Sequence, residues 1–212
     1  MRKIIIILLM FSSNFSIAQF EENNAVYYTG ELNIGNYIGI DFNLNYVYKE
    51  KYSFKFGYTG NLRKPKTQPK DYTSGLIGAL FFGFENPYDY LENYQLGFGK
   101  ICKINKAGTI RLNTSVGLGY TIIREPVNWE RNENSFLVEN YNWNYEKHNT
   151  ISLIINPKIE FPFSRFYGLT ISPMTQINKD RIYFGIGIGQ MIGLLRNKKN
   201  NIKADSSLEF ED

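Results

Sequence analysis

The chain has almost none of the residues that build metal sites or disulfides. Its 212 residues include one cysteine, Cys102, and one histidine, His148. A single cysteine excludes an internal disulfide framework, and the pair leaves no His/Cys ligand cluster, so neither a metal nor another cofactor is expected. Charge of one sign is also scarce. The net charge is +4, and +2 once Arg2 and Lys3 are set aside, too weak a field to suggest nucleic acid as a partner. No apolar run reaches the roughly 20 residues that a spanning helix needs. The run Ile4 to Phe11 follows Met1-Arg2-Lys3 and leads to Ser16-Ile17-Ala18. That is the layout of a cleavable export signal with a cut after Ala18. Residues 1–18 are therefore read as a signal, 19–195 as one folded domain, and 196–212 as a polar tail. An exported chain without a spanning helix enters a membrane only as a closed β-barrel, whose apolar signal is hidden in every second residue.

That alternation is what the sequence does have. From Ile38 to Tyr48 the even positions are Ile38, Ile40, Phe42, Leu44, Tyr46 and Tyr48, against Gly39, Asp41, Asn43 and Asn45. Tyr52, Phe54, Phe56 and Tyr58 then oppose Ser53, Lys55, Gly57 and Thr59. The same split recurs around Tyr94–Phe98, Ile110–Ile122, Ile151–Phe163, Tyr167–Ile177 and Ile182–Leu194. Period two over about 9–12 residues fits tilted strands crossing a membrane. Ala25 to Ile34 supplies an eighth strand if the turn after it has three residues, because a two-residue turn would put Tyr37 and Asp41 on the apolar face. The alternative makes Ala25 to Tyr48 one long strand and takes the eighth from Leu76 to Phe84. The fold class expected is all-β, a closed antiparallel up-and-down transmembrane barrel of about eight strands.

Short turns at 49–51, 106–108 and 164–165 alternate with long segments at 63–90 and 124–149. Outer-membrane barrels have short periplasmic turns and longer outer loops, which puts both termini in the periplasm. Tyr46, Tyr48, Tyr52, Phe161, Phe163, Phe166 and Tyr167 gather near the periplasmic rim, where an aromatic girdle belongs. Two features break the pattern. Lys100 falls on the apolar face and Ile101 on the polar one, which predicts either a bulge near Gly99 or a lysine snorkelling at the interface. Pro157 and Pro173 remove ladder donors inside strands and predict local bulges.

In this pattern and architecture, over roughly residues 25–195, the sequence resembles the small outer-membrane barrels of the OmpA, OmpX and OmpW type. The resemblance implies residence in a bacterial outer membrane, insertion by the barrel assembly machinery, and outer-membrane lipids and lipopolysaccharide as surroundings. Many such proteins end on an aromatic residue closing the last strand. Here that strand stops near Leu195 and the tail from Arg196 follows.

The inward lists carry Glu31, Asp41, Lys55, Lys103, Arg111, Lys158 and Glu160, expected to pair and fill the lumen. Inward glycines leave room for a narrow cavity, so porin-like transport of solutes or lipids stands as the alternative. Segment 124–149 carries Trp129, Phe136, Tyr141, Trp143, Tyr145 and His148, an aromatic and acidic surface suited to a glycan, lipid headgroup or protein ligand, or a compact loop over the barrel mouth. Arg63, Lys64, Lys66 and Lys70 suit lipopolysaccharide phosphates. A lipid-modifying enzyme would need His148 beside Ser135 or Ser152, which share no motif with it. A lipocalin-like soluble barrel would turn the apolar face inward. The expectation is a non-catalytic barrel with a structural, adhesive or ligand-binding role in its outer loops.

Overall fold

The computed structural model describes residues 24–81, 86–105, 108–132 and 137–195. The expected signal, the polar tail, Ser135, Phe136 and part of the 75–84 run lie outside the described residues. Eight strands follow in order: β1 (Ala25–Gly35), β2 (Ile38–Tyr48), β3 (Tyr52–Arg63), β4 (Asp89–Lys103), β5 (Arg111–Arg131), β6 (Tyr141–Phe161), β7 (Tyr167–Ile177) and β8 (Ile182–Leu194), with one short helix, α1 (Gly75–Leu80), between β3 and β4. Each strand pairs antiparallel with the next, and β8 returns to β1, closing the barrel.

Parity sets the faces throughout. Ile34 pairs with Ile38, so the first turn has the three residues that keep Leu32, Ile34, Ile38 and Ile40 on one side. The segment 75–80 is helical, which removes the alternative parse. Large apolar side chains point away from the lumen, with Leu32 at 66% exposure and Ile151 at 70%, while the opposite positions are buried. This orientation overturns the lipocalin-like reading. At the short-turn end, Lys49 and Glu50 take φ of 51° and 52°, and Lys51 N–H donates to Tyr48 C=O at 3.0 Å. Two left-handed central residues match the right-handed twist of the strands they join.

Three expectations change. Lys100 pairs with Tyr52 and Thr114 in unbroken register, so no bulge sits at Gly99 and the rim lysine is the correct reading. Register is also conserved across the prolines: Ile155 pairs with Thr175 and Ile159 with Ile171, which puts Pro157 opposite Pro173. Instead of bulges, two residues without N–H groups share one gap in the ladder, and Asn156 Nδ2 donates to Pro173 C=O at 3.0 Å inside it. Finally, segment 124–149 is mostly strand. β5 and β6 each run 21 residues, about twice what a membrane needs, and project as a hairpin beyond the other strands.

Nor is there spare room where the glycines stand. A Cβ on Gly117 would lie 2.3 Å from Leu96 O, one on Gly119 2.1 Å from Asn93 Oδ1, and one on Gly189 2.0 Å from Gly30 O. Glycine serves here to let neighbouring backbone and polar side chains close in, not to open a channel.

Candidate functional site

Inside the barrel, residues far apart in sequence, such as Tyr27 and Glu160, meet because closure brings β1 beside β8 and the lumen is narrow. At the short-turn end Arg111 ion-pairs with Glu160, which also accepts from Tyr27 Oη at 2.8 Å and Asn113 Nδ2 at 3.0 Å. Midway, Lys158 pairs with Glu31 at 2.6 Å, and Glu31 accepts from Thr170 and Ser172. Asp41 and Lys55 do not pair. Asp41 accepts from Asn43 at 2.8 Å, Gln95 at 3.1 Å and Thr59 at 3.3 Å, while Lys55 donates to Asn156 Oδ1 at 2.8 Å. Lys103 leaves the inner set: it is exposed at the rim and bound to Glu50. Apolar layers cap this polar section at both ends. Ala25, Tyr27, Val47, Ile101, Met191 and Leu195 form one; Tyr37, Leu91, Ile123, Ile154, Met174 and Tyr183 form the other. Ile101 faces inward to complete the first of these.

Above the second layer, buried Asp89 gathers Arg63 at 2.7 Å, Arg181, and Tyr37 Oη at 3.3 Å, and Arg181 reaches on to Glu125 at 2.6 Å. Arg63, expected among the loop cations, is thus drawn inward, and its companions come from β4 (Asp89), β5 (Glu125), the β1–β2 turn (Tyr37) and the β7–β8 turn (Arg181), which no local pattern links. A mouth cavity of about 750 Å³ opens over them, lined among others by His148 and Asp180. His148 Nε2 lies 3.5 Å from Asp180. Ser152 is fully buried and bonded within the lumen to Thr121, Gln176 and Asn178, so it is spent on packing.

The projecting hairpin carries the aromatic group. Between Val127 and Glu130 the β5–β6 register shifts, with Asn128 at φ 55°. Asparagine tolerates that left-handed backbone, and the extra residue redirects the side chain after it. Trp129 then meets Trp143 with ring centroids 5.7 Å apart, and Tyr141 at 6.3 Å. Tyr72, from the β3–β4 connection, inserts edge-on at 5.9 Å from Trp129 and 6.2 Å from Trp143. No local pattern announced Tyr72. Its partner loop is pinned by Trp129 Nε1 donating to Thr67 at 3.3 Å, Tyr141 Oη to Asp71 at 2.9 Å, and Thr73 N–H to Asn140 Oδ1 at 2.8 Å. Burial beside the hairpin, then the charge of Glu139, pushes the Tyr72 phenol up to about 12. The predicted residues thus divide. Trp129, Trp143 and Tyr141 join Tyr72; Tyr145 stands with Tyr90, 6.0 Å away; His148 belongs to the mouth. What the hairpin presents is a half-buried aromatic surface edged by Asp71 and Arg131, with ring faces and polar groups side by side.

No family model and no curated protein sequence matches the chain. Solved structures do match its fold. The attachment invasion locus protein Ail of Yersinia pestis is 11% identical with a TM-score of 0.50, over 82% of this chain and 100% of Ail. The N-terminal β-barrel domain of Pseudomonas aeruginosa OprF is 11% identical, with a TM-score of 0.46 over 82% and 98%. Neisserial surface protein A is 8% identical, with a TM-score of 0.45 over 80% and 95%. The chain shares with Ail the eight-stranded architecture of small outer-membrane barrels.

Proposed function

We propose that the chain resides in a bacterial outer membrane, reached by means of a cleaved export signal and the barrel assembly machinery, and that it binds an extracellular glycan through the projecting hairpin. The barrel is the anchor and the hairpin the working part. Membrane residence is supported by the outward apolar residues on all eight strands, a face that water would penalise. The short-turn end then faces the periplasm.

The observation that carries the binding reading is the cluster of Tyr72, Trp129, Tyr141 and Trp143. Rigid aromatic side chains give large contact area at low entropic cost, and the neighbouring carboxylate and amides supply hydrogen bonds for sugar hydroxyls. Ail, an attachment invasion locus protein by name, shares this barrel's fold, which is compatible with an adhesive role; the reading here rests on this hairpin's own residues. A lipid-modifying enzyme built on His148 and Ser152 is not supported, because Ser152 is buried in the lumen and bonded to Thr121, Gln176 and Asn178. Solute transport is not supported either, since ion-paired and apolar layers follow one another along the lumen.

The test is a glycan array probed with the purified barrel in nanodiscs. Replacing Trp129 and Trp143 together by alanine is expected to weaken any retained glycan by at least about thirtyfold, the effect of losing a buried aromatic anchor. Undiminished binding by the folded double variant would remove the hairpin from the role.

A further inference from the structure

The lipid-facing wall is not uniformly convex. Across β2–β6 it sinks into an apolar groove of about 940 Å³, within the range of pockets that hold small ligands. The floor is backbone at Gly97, Gly117 and Gly119, and Gly97 faces Gly117 across the β4–β5 ladder. The walls include Phe54, Leu96, Phe98, Leu118 and Tyr120.

The two ends of this groove differ in charge. Toward the long loops, Arg124 is neutralised by Glu92 at 2.8 Å. Toward the short turns, Lys100 follows Phe98 on the same outward face, opposite Tyr52, whose ring stacks on Phe98 with centroids 6.0 Å apart. Lys100 is exposed and has no carboxylate partner among the described residues. Lys51 lies beside it, its ammonium 5.5 Å from the Tyr52 ring centroid, and its C=O accepts from Ile101 N–H at 2.7 Å. An apolar trough that ends in unneutralised cations at an aromatic rim matches one kind of molecule, an amphiphile with acyl chains and an anionic head.

We propose that this groove binds an anionic phospholipid of the periplasmic leaflet, its acyl chains over Gly97 and Gly117 and its phosphate at Lys100 and Lys51. The leaflet rests on the orientation given under Proposed function; the groove and its lysines do not. Binding here would fix the barrel's depth at the leaflet opposite the glycan surface.

Native mass spectrometry of the detergent-purified barrel, offered phosphatidylglycerol and phosphatidylethanolamine together, tests this. The wild type is expected to retain one phosphatidylglycerol in preference, and Lys51→Ala with Lys100→Ala to reduce that preference about tenfold. Leu118→Trp, which fills the trough and leaves the lysines, is expected to lower retention of both lipids. Equal retention of the two lipids by the wild type would overturn the proposal. So would a preference that survives loss of both lysines, or one lost instead on replacing Lys64, Lys66 and Lys70, which would put the lipid at the other end. Protease accessibility of the hairpin on intact cells reads the orientation separately, so a failed leaflet and a failed groove give different results.

Discussion

The lumen and the hairpin surface are both built by side chains from distant strands, yet they spend their polar groups in opposite ways. In the lumen the ion pairs lie deep and join neighbouring and distant strands alike: Arg111 meets Glu160 on the next strand, Tyr27 reaches the same carboxylate from β1, and Lys158 reaches Glu31. In the hairpin the contacts are between rings that stay half exposed, braced by single hydrogen bonds to a neighbouring loop. The difference teaches where stability is kept and where ring surface is left open. A buried charge pair holds strands together and is costly to break, whereas a half-exposed aromatic group leaves part of each ring for another molecule.

The contrast can be broken most strongly at Glu160. Glu160→Gln leaves the Arg111 guanidinium buried against a neutral amide, and a loss of about 3–5 kcal/mol is expected in urea unfolding from lipid vesicles, with glycan retention unchanged in the fraction that remains folded. Next comes the wall itself. Gly117→Ala puts a methyl where Leu96 O stands and is expected to cost about 1–3 kcal/mol by the same measurement, since backbone must shift to admit it. The two tryptophans stand at the other pole: the double alanine variant, expected to weaken glycan retention, is expected to shift unfolding by only about 1 kcal/mol, the worth of an aromatic pair outside the membrane. An equal or larger loss than for Glu160→Gln would erase the division between the two regions.

The smallest effect is a titration. The fold raises the Tyr72 phenol from 10.0 to about 12, so it favours the neutral form. Its contribution is fully present below pH 10 and fades as pH rises toward 12, where the folded protein also ionises. Other phenols are raised too, so spectrophotometric titration should show the wild type and Tyr72→Phe differing by the loss of a single phenol that titrates near 12. Its persistence would place the buried ring elsewhere.

The strands were legible because period two survives any error in strand ends, and the three-residue first turn followed from parity alone. Lumen chemistry was legible only as a set of charges. Which carboxylate meets which cation depends on shear and on closure of β8 against β1, and neither leaves a local trace. The apolar layers were hidden for a related reason. Leu91, Ile123, Ile154 and Met174 sit at inward positions where a polar residue is expected, and only assembly shows that they meet one another. The same holds for Asp89 with Arg63 and Arg181, and for Tyr72, whose place among the tryptophans is set by a loop of no regular period.

The facing prolines have a mechanical consequence. The β6–β7 seam is fastened by three residue pairs above the gap and three below, with a side-chain amide as the stitch between, whereas the other ladders run unbroken through the barrel wall. The cylinder is thus zipped along most of its circumference and buttoned along one line. It is the line along which a sideways parting of the wall would break the fewest residue pairs, and it borders β7 and β8, the last strands made, held on the far side by β1, the first.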